Sequence, residues 1–180
     1  MPLGAGGPGG ASAAELGYSQ GRSYRVDIPF TIPQGAGGSV FLKYQIGGDI
    51  DLTSSTLDMD VGAVTYTVWT EAQASDEAGI NTLVEIYPRN LKSDVPARAP
   101  DMVITQGNDW DGATLTLTGQ QNSTTPARAP TGGSSKASTV ADDGSTRGFP
   151  EAVAYVRITK TAGTNAETFG VLKQEWTEYD

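Results

Sequence analysis

AVAYVRITKTAGTNAETFGVLKQEW, residues 152–176, decides the fold class. It divides into two extended runs around Thr161–Glu167, a short segment rich in turn-forming residue types. In the first run Val153, Tyr155, Arg157 and Thr159 share one face, and Ala154, Val156 and Ile158 share the other. In the second, Thr168–Trp176, the residues Gly170, Leu172 and Trp176 fall on one side, with Phe169 and Val171 opposite. Alternation between two faces is the period of a strand, and Val, Ile, Tyr and Thr suit a pleated surface. The connecting segment holds Gly163 and Asn165, so the whole stretch reads as an antiparallel hairpin that closes an all-β domain.

The same period recurs upstream. Tyr24, Val26, Ile28, Phe30 and Ile32 form one face of a run from 24 to 32, with Pro29 on the other. A proline has no N–H to give to a ladder, so this strand is expected at a sheet edge or with a bulge. Val40, Leu42, Tyr44 and Ile46 alternate with Phe41 and Lys43, and Val64, Tyr66 and Val68 alternate with Thr65, Thr67 and Trp69. Residues 81–87, 102–105 and 113–118 are further strand candidates. Glu71–Gly79 is the only stretch compatible with a short helix. About eight strands separated by turns predict an antiparallel β-sandwich of the jelly-roll kind.

Composition sets outer bounds. With 180 residues the chain is long enough for one domain with a core, and its 23 Gly and 10 Pro point to many turns. Residues 23–180 are read as that single domain. Five of the first ten residues are Gly, so 1–22 is expected to be a flexible arm, unable to bury enough apolar surface to order alone. Leu3, Leu16 and Tyr18 are its only sizeable apolar groups. The arm reads either as a free terminus or as a segment that orders against another subunit, with Leu16 and Tyr18 as anchors. PARAP occurs at 96–100 and again at 126–130. Each copy is expected to be extended, because Pro fixes φ and biases the residue before it. The second copy opens a Pro- and Ser-rich excursion within 120–150, expected to be an exposed loop.

With no His and no Cys, the chain lacks the commonest general base and the commonest zinc ligands. A net charge of −9 argues against a nucleic-acid surface. No apolar run reaches membrane-spanning length, and the first twenty residues lack the pattern of a secretory signal. Asp49/Asp51 and Asp58/Asp60 form two Asp-x-Asp pairs, each with both carboxylates on one face. They read as strand-edge charges or as oxygen ligands for a hard cation. Asp109-Trp110-Asp111-Gly112 reads first as a turn. Asn122-Ser123-Thr124 fits a glycosylation acceptor, relevant only in a secreted eukaryotic protein. No catalytic residue, metal or cofactor is expected.

Tyr155-Val156-Arg157-Ile158, the small-residue turn Ala162–Asn165 and the returning Phe169–Leu172 resemble the closing strands of small jelly-roll capsid cement proteins of tailed bacteriophages. Residues 64–86 are similar in style to that family's central strand and the acidic loop after it. The resemblance implies a virion protein on the capsid exterior, made in the host cytoplasm. It implies a homotrimer that clamps neighbouring major capsid subunits. On that reading the partner-binding residues are Leu3, Leu16, Tyr18 and Arg22, the last pairing with an acidic group on the capsid. Alternatives are a tail or fibre component, or a carbohydrate-binding sandwich in which Trp69, Trp110 or Trp176 stacks on sugar rings.

Overall fold

The computed structural model describes residues 21–35, 38–47, 50–60, 63–69, 73–76, 79–89, 96–111, 113–116, 121–128, 135–137, 153–160 and 166–178. Its strands are β1 (Ser23–Ile32), β2 (Ser39–Gln45), β3 (Ile50–Met59), β4 (Ala63–Trp69), β5 (Gln73–Asp76), β6 (Thr82–Leu83), β7 (Tyr87–Pro88), β8 (Val103–Asn108), β9 (Thr114–Thr116), β10 (Gln121–Arg128), β11 (Ser135–Ala137), β12 (Val153–Lys160) and β13 (Thr168–Glu178). One sheet has the order β11-β3-β13-β1-β7, the other β10-β4-β12-β2-β8-β6, and β5 and β9 form a separate ribbon. All pairings are antiparallel. Among the described residues there is no α-helix, and the two larger sheets pack as a β-sandwich.

The pairing is nested. β1 pairs with β13, β2 with β12, β3 with β11 and β4 with β10, so the first and last strands meet and each inner pair lies within the one before. Successive strands from β1 to β4 alternate between the sheets. The last two strands then take the central places, β13 between β1 and β3, and β12 between β2 and β4.

That arrangement corrects the hairpin expected at 152–176. β12 and β13 lie in different sheets, and the chain between them crosses the sandwich instead of reversing within a sheet. Each strand already has a neighbour on both sides, so no edge remains for the other. Local alternation determines which side chains face inward, but it carries no information about the pairing partner.

The inward faces follow the period. Val26, Ile28, Phe30 and Ile32 of β1 meet Val40, Leu42 and Tyr44 of β2, Val156 and Ile158 of β12, and Leu172 and Trp176 of β13 in one core. Fully burying a side chain of this size contributes about 1.5–3 kcal/mol. The six-stranded sheet has a second, smaller core on its outer face, where Phe41 and Tyr155 pack with Ile80 and Ala113. Gly107 of β8 makes that contact possible: a Cβ there would stand 2.3 Å from the Gly79 carbonyl oxygen.

Pro29 lies as expected. The Ser23 carbonyl accepts from the Arg89 N–H (2.6 Å), whereas the Arg22 carbonyl accepts from the Glu178 N–H (3.0 Å). Odd-numbered residues of β1 therefore aim their backbone groups away from β13. On that side β7 covers only Tyr24 and Arg25, so the missing N–H of Pro29 costs no ladder bond. Its carbonyl accepts from Gln106 Nε2 at 3.2 Å.

Three local expectations are corrected. Residues 81–87 are not one strand. β6 joins β8 in one sheet and β7 joins β1 in the other, while Val84 and Ile86 pack on the core between them. A segment that changes sheets keeps only two-residue pairings at each end. Residues 73–76, expected within a short helix, form β5, where pairing with β9 overrides helix propensity. The excursion at 120–150 includes two strands, β10 and β11, and the second PARAP copy begins inside β10, with Pro126 opposite Thr65.

Candidate functional site

Leu3, Leu16 and Tyr18 lie outside the described residues. Arg22 lies within them, 6% exposed, at the point where residues 1–20 join the sandwich. Its side chain is buried. The junction around it is tied by several hydrogen bonds.

Gly21 has φ +71°, a left-handed conformation that a Cβ disfavours, and a Cβ there would also come within 2.6 Å of the Pro96 carbonyl oxygen. The Gly21 carbonyl accepts from the Arg98 N–H at 3.2 Å. The first PARAP segment is thereby laid against the start of β1. Tyr24, buried, donates its hydroxyl to the Arg98 carbonyl (3.2 Å), with the Ala99 carbonyl at 3.4 Å, and its ring lies 5.7 Å from that of Trp176.

At the end of β13 the Glu178 carboxylate is buried and accepts three N–H groups. Oε1 takes Trp176 Nε1 (3.0 Å) and the Met102 N–H (3.2 Å), and Oε2 takes the Asp101 N–H (2.9 Å). Three N–H donors held around a buried carboxylate offset the cost of its desolvation.

Sequence patterning alone does not single out Glu178, yet the signal is there. The inward face of β13 continues Leu172, Gln174, Trp176, Glu178. Gln174 is satisfied by Tyr44 Oη (2.7 Å) and Ser55 Oγ (3.3 Å). β12 behaves alike: Ala154, Val156 and Ile158 are followed by Lys160, only 1% exposed, whose Nζ donates to the carbonyls of Pro33 (3.1 Å) and Ala166. Each central strand thus ends on an inward charged residue that ties loops together.

Burial, and after it the Glu178 charge, pushes the Tyr24 hydroxyl up to about 12. A raised folded-state value means that its stabilising contribution is complete below pH 10 and is lost between pH 10 and 12, where the unfolded chain ionises first. Tyr24→Phe is therefore expected to flatten the fall in stability between pH 10 and 12, measured by urea unfolding at stepped pH. An unchanged slope would contradict this account of Tyr24.

The second acidic pair is engaged within the sandwich. Asp58 forms an ion pair with Lys173 (2.6 Å), and Asp60 Oδ1 accepts from the Phe169 N–H (2.9 Å). Asp49 and the Asp51 side chain lie outside the described residues. Among the described residues no group of three or more acidic, His or Cys side chains is placed to hold a metal. Of the three tryptophans, Trp176 is 1% exposed, its indole N–H committed to Glu178, so it offers no face to a sugar. The Trp69 side chain lies outside the described residues, and Trp110 is 40% exposed.

Comparisons with protein-family models, with curated proteins and with solved structures find no match to this chain.

Proposed function

We propose that this protein is a structural virion component: a jelly-roll capsid cement, or decoration, protein that binds the outer capsid surface of a tailed bacteriophage and stabilises contacts between major capsid subunits. The observation that carries the reading is the nested pairing. Four antiparallel pairs, β1/β13, β2/β12, β3/β11 and β4/β10, make one long folded ribbon, and rolling it distributes its eight strands four and four over two sheets. We read that winding as a jelly roll, an architecture used by capsid proteins and lectins.

Two further features favour a scaffold over a catalyst. Two charged groups inside the sandwich, Glu178 and Lys160, are occupied in holding backbone. The burial of Trp176 also removes one ring from a sugar-stacking platform, which weighs against the lectin-like alternative.

Attachment is assigned to the arm. Leu3, Leu16 and Tyr18 are its apolar anchors and Arg22 its charged contact, and the hydrogen bonds at Gly21 and Arg22 give them a base. Ordering a Gly-rich segment offsets part of its contact energy, so one arm binds weakly. A homotrimer that engages three sites restores affinity through effective concentration. Deletion of residues 1–20 is expected to leave a folded sandwich that no longer decorates particles lacking the protein. Undiminished decoration by the truncated chain would refute the arm as the attachment element.

A further inference from the structure

The turn after β8 presents one aromatic ring between residues that are tied by hydrogen bonds. Asn108 Oδ1 accepts from the Asp111 N–H (2.8 Å), Asn108 Nδ2 donates to Asp111 Oδ2 (2.9 Å), and the Asn108 carbonyl accepts from the Ala113 N–H (3.0 Å). Asp109 exchanges two bonds with Ser39: its N–H donates to the Ser39 carbonyl (3.1 Å), and its Oδ2 accepts from the Ser39 N–H (2.9 Å). Trp110 sits at the apex, with one edge of its ring over Gly38 and 40% of its surface open. Five hydrogen bonds therefore brace the residues on either side of Trp110, whose side chain is only partly packed. Such a frame lowers the ordering cost of a contact made by the ring.

Charge narrows the kind of partner. Asp109 and Asp111 flank Trp110 in the sequence, and among the described residues their carboxylates accept from neutral donors, the Ser39 N–H and the Asn108 amide. The ion pairs described, Arg89–Glu175 and Lys173–Asp58, lie elsewhere. An indole face attracts a cation, guanidinium most often, and two uncompensated carboxylates beside it add to that attraction. A neutral sugar would gain from the ring and nothing from the two charges. We propose that the Asp109-Trp110-Asp111 turn is a docking point for an arginine side chain on a basic segment of a partner protein. The inference rests on residues of the sandwich alone and holds whether or not the partner is a capsid.

The test follows the indole N–H signals of the full chain by two-dimensional NMR, with the Trp110 signal assigned by its disappearance in Trp110→Phe. Three probes are titrated at 50 mM salt: an acetylated Gly-Arg-Gly-Arg-Gly peptide, its Gln-for-Arg counterpart, and cellohexaose. The arginine peptide is expected to shift the Trp110 signal, and 500 mM salt to weaken its binding about threefold or more. Asp109→Asn and Asp111→Asn together keep the side-chain acceptors while removing both charges. That variant is expected to bind the peptide about three- to tenfold more weakly, with its other two indole signals in place. An equal or larger response to the glutamine peptide or to cellohexaose would overturn the inference, and so would no response to any probe.

Discussion

Glu178→Ala is expected to lower stability by about 3–5 kcal/mol, one of the two largest losses anticipated for a single residue here. Removing the carboxylate leaves the Trp176 indole N–H and the backbone N–H groups of Asp101 and Met102 without their acceptor, in a site closed to water. For a chain of this size the melting temperature should fall on the order of 10 °C. Glu178→Gln should cost less, about 1–3 kcal/mol. Its one remaining oxygen can serve the two donors now on Oε1, but its amide nitrogen then faces the Asp101 N–H, donor against donor. Thermal and urea unfolding of the two variants beside the parent chain would check the ranking. Alanine and glutamine variants within about 0.5 kcal/mol of the parent would show that Glu178 does not hold the junction.

Leu172→Ala is expected to cost about 2–5 kcal/mol, because Leu172 is buried at the centre of β13 and its removal opens a cavity between the sheets. Phe169, in the same strand but on the outer face, is 46% exposed, and Phe169→Ala should cost less than about 1 kcal/mol. The contrast matters more than either value. It puts the larger loss on the smaller side chain, which only the inward and outward assignment of β13 explains. Urea unfolding of both variants would check it, and equal losses would contradict that assignment.

That assignment is legible in the amino-acid pattern alone. Period-two alternation places Tyr24, Val26, Ile28, Phe30 and Ile32 together, and Val40, Leu42 and Tyr44 together, and all of them are in the core. Pro29 marks an open edge, because only there does a missing N–H cost no ladder bond. Pairing is not legible. Each long strand bonds to one far away in the sequence, as Ser23 does opposite Thr177, and nothing within a strand records which distant strand it meets. A turn-rich connection of several residues suits a hairpin and a crossing equally, so residues 161–167 give no means of choosing. At the junction, Glu178 is hidden for a different reason. A Glu near the end of a chain reads as solvent-facing unless the inward period is carried past Trp176 to the next even position. Arg22 reads as part of the arm because composition changes around it, yet its backbone already pairs with the end of β13.

The nested sandwich explains why a Gly-rich arm would suit the proposed role. β1 is clamped by β13 along its whole length, and at its first residues also by the 96–102 segment, which Tyr24 and Glu178 hold in place. A pull transmitted through the arm would load that junction first. Cement function places just such a demand on a protein, since the load passes from one capsid subunit to the next through it.

The central claim is that the chain is a capsid decoration protein, and cryo-electron microscopy of intact particles that carry it tests this most directly. The account predicts density for the sandwich on the outer capsid lattice, repeated at symmetry-related positions between major capsid subunits, with residues 1–20 running onto the capsid surface. Particles whose outer lattice lacks the sandwich, with the chain confined to a tail or absent from the particle, would contradict it.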